Sequence, residues 1–96
     1  MGPMADSLSS LVDGFLDQLR YRLNRSENTT VNYAVDLAQF VEFLQLEGVE
    51  GPEGINRDRV RGFLRSLMGY GFAPTSAARK LSSVRGFTAY LTREGL

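Results

Sequence analysis

Apolar residues recur at three- and four-residue steps in four separate stretches of this chain, and no stretch alternates apolar with polar. That period puts apolar side chains on one face of a helix and leaves nothing to line a sheet. An all-α fold is expected. The first stretch runs from about Leu8 to Leu23, with Leu8, Leu11, Val12, Phe15, Leu16, Leu19 and Leu23 on one stripe, and Asp6 or Ser7 can cap it. Asn24-Arg25-Ser26 breaks the pattern, and Ser26 is a good N-cap for a second helix over about Glu27 to Leu46. Its buried side is expected to carry Val31, Ala34, Leu37, Ala38, Val41 and Leu44, flanked by Tyr33 and Phe40. Asn28, Thr29, Asn32, Asp36 and Gln39 fall opposite, on the solvent side.

The stretch from Gly48 to Gly54 holds three glycines and a proline and reads as a loop. A third helix is expected from about Arg57 to Met68, with Asn56 as N-cap, Ile55 and Val60 as a hydrophobic staple, and Gly69-Tyr70-Gly71 as its end. The fourth opens at Pro74 and runs to about Arg93, burying Ala77, Leu81, Val84, Phe87, Thr88 and Leu91. Phe43 falls on the polar side of the second helix, where either a domain edge or loop folds over it or it contacts something outside the domain.

The 96 residues suit one domain, and a hydrophobic content of 43% is enough for a packed core. Residues 1–7 read as an N-terminal tail or a cloning remnant, and residues 8–96 as the domain. There is no cysteine and no histidine. Disulfides, thiolate or imidazole metal sites, cysteine nucleophiles and Ser-His-Asp triads are therefore excluded within the chain. The carboxylate pairs Asp13/Asp17 and Glu47/Glu50 have no partner for acid–base work, and no glycine loop fits a phosphate cradle. The chain is expected to be no enzyme by itself, with no cofactor, no metal and no small-molecule substrate. No apolar run approaches a membrane span and no signal peptide is evident, so a cytoplasmic location is expected.

The net charge is zero, but it is unevenly spread. Residues 1–56 hold nine acids against three bases, and residues 57–96 hold eight bases against two acids. The basic half can present a face that attracts phosphate. The fourth helix sharpens this. Thr75, Ser76, Arg79, Ser82, Ser83, Gly86, Tyr90 and Arg93 share one side, which contains no acid. Small residues let a helix approach a DNA backbone, and hydroxyls and guanidinium groups donate to phosphate oxygens. The start of the second helix offers Asn28, Thr29, Thr30 and Asn32 as donors beside free backbone N–H groups. That pattern suits an anion site or plain capping alike.

Two segments carry a family likeness. Ser26-x-x-Thr29-x-x-x-Tyr33-x-x-Asp36-Leu37-x-x-Phe40-x-x-Phe43-Leu44 resembles the second helix of the N-terminal core-binding domain of tyrosine recombinases. Arg79-Lys80-Leu81-Ser82-Ser83-Val84-Arg85-Gly86-Phe87-x-x-Tyr90-Leu91 resembles its fourth. The closest likeness is to Xer-type recombinases and related phage integrases. The resemblance implies a four- to five-helix SAM-like bundle that clamps double-stranded DNA opposite a C-terminal catalytic domain, within a tetramer of recombinase subunits. It places Thr29, Thr30, Asn32 and Tyr33, with Thr75, Ser76, Arg79, Lys80, Ser83 and Gly86, at or near the duplex, and the donors at the helix start add Asn28 to that expected set. The family's catalytic residues, tyrosine nucleophile included, belong to the other domain, so Tyr21, Tyr33, Tyr70 and Tyr90 are not read as nucleophiles. The rival reading is a helical protein–protein interaction module. A continuous positive face formed by the second and fourth helices would favour DNA.

Overall fold

The computed structural model describes residues 7–96. Four α-helices are present: α1 (Leu8–Asp17), α2 (Glu27–Leu46), α3 (Arg57–Gly69) and α4 (Pro74–Arg93). Three have side-chain caps. The Ser7 hydroxyl accepts the Ser10 N–H at 3.2 Å, Ser26 that of Thr29 at 3.1 Å, and the Asn56 carbonyl that of Arg59 at 2.8 Å. Asp6, the other cap expected for α1, and all but Ser7 of the expected tail lie outside the described residues. α2 and α3 end the same way. Gly48 and Gly71 take the left-handed conformation, at φ 82° and 93°. The next residue's N–H then reaches back to the last turn, Val49 to Leu44 and Phe72 to Leu67. Each motif turns a hydrophobic residue back against the bundle.

The first helix departs from expectation. After Asp17 it widens into a π turn over Gln18–Arg22, closed by the Leu23 N–H on the Gln18 carbonyl at 3.0 Å. The wider turn shifts the later side chains around the helix axis, so Leu19 is buried while Leu23, expected on the apolar stripe, is exposed. Asn24 then reverses the chain with a positive φ of 55°, which asparagine tolerates better than most residues.

Aromatic rings join the helices. Phe15 of α1 lies edge-on to Tyr33 of α2 at 5.7 Å and against Phe87 and Tyr90 of α4 at 5.8 and 5.3 Å. Phe63 of α3 meets Phe40 and Phe43 of α2 at 5.1 and 5.6 Å. Phe43 is thus covered by α3, which comes so near that a Cβ on Gly62 would sit 3.2 Å from its ring. Around these rings close Leu37, Leu44, Leu67, Val84 and Leu91, all buried. Tyr33 lies over Gly86 while Asp36 meets Lys80 and Ser83, so α2 and α4 run in opposite directions along their seam.

Other expected core positions differ too. Val31 and Ala38 of α2 are exposed and Ala34 is half-buried, and so are Leu81 and Thr88 of α4. The last two line an open groove between α3 and α4 rather than the centre. Among the described residues no helix is long and apolar enough to cross a membrane, and no cluster of three metal-ligating side chains occurs.

Candidate nucleic-acid interface

Helix α4 contains no acidic residue, and its first turn has no side-chain cap: Ala73 precedes Pro74, leaving the early N–H groups unpaired by any side chain. α2 is the reverse. Ser26 occupies its start, accepting the Thr29 N–H and donating to the Thr29 hydroxyl at 2.9 Å, while the Thr30 hydroxyl donates to the Ser26 carbonyl at 3.1 Å. Of the two readings open for that segment, the geometry fits capping.

The eleven residues expected at the duplex divide by burial. Asn28, Asn32, Thr75 and Arg79 are exposed; Thr29 and Ser76 are half-buried. Thr30, Lys80 and Ser83 are buried and cannot present their side chains to a ligand on this surface. Tyr33 and Gly86 are half-buried against Phe15 and each other: a Cβ on Gly86 would meet both rings at 3.5 Å. The antiparallel seam also separates groups expected together. The register directs the start of α2 toward the second half of α4, whereas Thr75 and Ser76 lie in the first turn of α4.

One buried carboxylate accounts for the burial of Lys80 and Ser83. Asp36 has no exposed surface, although the helical wheel places it toward solvent. Its Oδ1 accepts from the Arg79 guanidinium and the Lys80 ammonium, both at 3.0 Å, and its Oδ2 accepts from the Ser83 hydroxyl at 2.7 Å. Lys80 lies under Phe72, its Nζ 5.2 Å from the ring centre. Three polar residues that look like a wet stripe thus form the polar part of the α2–α4 seam. Residue type alone does not reveal a partner more than forty positions away.

With that side of α4 turned inward, its exposed face shifts to Thr75, Ala78, Arg79, Ser82, Arg85, Ala89, Thr92 and Arg93. Ala78, Arg85, Ala89 and Thr92 stand outside the expected stripe, and the acid-free composition of the whole helix is the signal that could include them. α2 contains no lysine or arginine. The expected positive face of α2 and α4 together is therefore carried by α4, with Arg57 and Arg61 of α3 across the groove from Arg85. α2 adds the neutral amides of Asn28 and Asn32 and, in the same first turn, the exposed carboxylate of Glu27. Among the described residues, Asp36 makes the only ion pairs, so the exposed arginines of α4 other than Arg79 carry no carboxylate partner. Small side chains between unpaired guanidinium groups can admit an extended polyanion and donate to its oxygens.

Residues 12–95 match the phage integrase N-terminal SAM-like domain family. The chain is 43% identical over 86 residues to tyrosine recombinase XerD of Pseudomonas putida, covering 90% of this chain and 28% of that protein. It is 37% identical over 94 residues to XerD of Agrobacterium fabrum, covering 98% and 28%. It is also 37% identical over 84 residues to tyrosine recombinase XerC of Azotobacter vinelandii, covering 88% and 28%. The chain thus spans under a third of the length of these relatives. No solved structure matches it significantly.

Proposed function

The chain belongs to the phage integrase N-terminal SAM-like domain family, and from that premise we propose that residues 8–96 are the DNA-gripping domain of a site-specific tyrosine recombinase. The whole protein would cut and rejoin DNA through a separate catalytic domain, in a tetramer of recombinase subunits in the cytoplasm. This domain would hold the duplex in place. The observation that carries the reading is the acid-free exposed face of α4, where Thr75, Arg79, Ser82, Arg85 and Arg93 alternate with alanines. Exposed Asn28 and Asn32 of α2 supply neutral donors beside it. Contacts of this kind go to phosphate and fix position rather than read sequence.

The test places carboxylates on that face. Thr75→Glu with Ser82→Glu changes two exposed positions, so the fold should keep its stability within about 0.5 kcal/mol. Binding to a labelled duplex, followed by fluorescence anisotropy, should weaken roughly tenfold or more at low salt, because each carboxylate opposes a phosphate. Unchanged binding would remove α4 from the interface.

A second reading has its own observation. Leu46 and Tyr70 are 81% and 82% exposed and line a shallow apolar depression with Phe43 and Phe72. Such a patch favours a protein-interaction module. Loss of partner capture on Leu46→Lys with full duplex binding would assign that surface to protein and α4 to DNA.

A further inference from the structure

Asp36 holds two cations and a hydroxyl while fully buried, and the two cations differ. Lys80 is buried with it, its side chain 5% exposed, whereas the Arg79 side chain is 51% exposed. Lys80 therefore neutralises the carboxylate inside the seam, and the group of three keeps one net positive charge at the surface, on Arg79. Only one guanidinium nitrogen is spent on Asp36. The remaining N–H donors stay available on the exposed face of α4, since a guanidinium carries five in a fixed fork. A lone Asp36–Arg79 pair would cancel the arginine's charge. A lone Arg79 would keep its charge and lose its orientation.

We propose that Asp36 is a positioning residue for the nucleic-acid contact: it fixes the Arg79 guanidinium in place before ligand arrives, and buried Lys80 restores the positive charge that this fixing would otherwise remove. The inference rests on the DNA reading above and adds to it a residue that never touches the ligand. Ser83 completes the device by holding the other carboxylate oxygen, so the carboxylate plane cannot turn. Immobilising a long side chain in advance spares its ordering on binding, which is worth about 2–10-fold in affinity.

The test separates orientation from charge. Asp36→Leu combined with Lys80→Met removes one acid and one base together, and a buried pair replaced by apolar groups of similar size is tolerated. Net charge and the Arg79 charge are both unchanged. The doubly substituted chain should melt cooperatively and bind a labelled duplex about 2–10-fold more weakly than wild type. Adding Arg79→Ala to it should cost less than Arg79→Ala costs alone. In the unsubstituted chain, the Arg79 Nε–Hε group should be as rigid as backbone by NMR relaxation, and this needs no variant to fold. A mobile Arg79 Nε–Hε overturns the proposal. So does a folded Asp36→Leu/Lys80→Met chain that binds like wild type while Arg79→Ala still weakens binding, although the DNA reading survives that result. Arg79→Ala without effect on affinity sinks both.

Discussion

The bundle interior is built in two ways. Around Phe15, Phe40, Phe63 and Phe87 it is aromatic and aliphatic, and non-directional burial holds the helices together. At Asp36, Lys80 and Ser83 the α2–α4 seam is polar and directional, with every contact fixed by a donor and an acceptor. The aromatic region tolerates a change of shape if volume is kept. The polar region tolerates removal of the whole set but not of one member. That asymmetry marks a part of the core that sets the orientation of a surface group rather than only its own stability.

The largest expected effect tests the aromatic side. Phe87→Ala deletes a fully buried ring that meets Phe15 at 5.8 Å and should cost about 3–5 kcal/mol in denaturant unfolding. Lys80→Ala comes next. It strips the buried partner from Asp36 and should cost about 3 kcal/mol, near the low end for a broken buried pair because Arg79 and Ser83 still donate. A cost below about 0.5 kcal/mol would make Lys80 an ordinary surface lysine and dissolve the comparison. Leu81→Ala should cost only about 1 kcal/mol, less than a full core truncation, because Leu81 is half-buried in the α3–α4 groove. The smallest effect is a gain. Gly86→Ala adds a Cβ in ordinary contact at 3.5 Å and should stabilise α4 by about 0.5–1 kcal/mol. A loss of stability instead would show that the Phe15 and Tyr33 rings cannot make room for the added Cβ.

Much of the aromatic side was legible in the sequence. The bounds of α2 and α4 are set by Ser26, Gly48, Pro74 and Gly95, since caps and left-handed glycines act locally. The all-α bundle is set by periodicity. The π turn after Asp17 was not legible, because nothing in Gln18-Leu19-Arg20 distinguishes a five-residue turn from a regular one. Leu81 and Val31 were misplaced because an apolar side chain shows that burial is favourable, not that a neighbour is there to provide it. The candidate site was half legible. The exposure of Arg79, Thr75, Asn28 and Asn32 can be read from residue type and face. The burial of Lys80, Ser83 and Asp36 cannot, because they look like a wet stripe until the fold brings α2 and α4 together. A helical wheel drawn on one helix carries no information about the other.

The central claim is that the exposed face of α4 meets phosphate and that Arg79 is its fixed point. The most direct measurement is duplex affinity across a salt series, for wild type and Arg79→Ala, on a recombination site and on random DNA. A phosphate contact acts on all sequences, so Arg79→Ala should weaken both by similar factors and lower the slope of log K against log salt by about 1. A loss of about 1–3 kcal/mol confined to the specific site would make Arg79 a base reader instead. Unchanged affinity and slope on both duplexes would contradict the account.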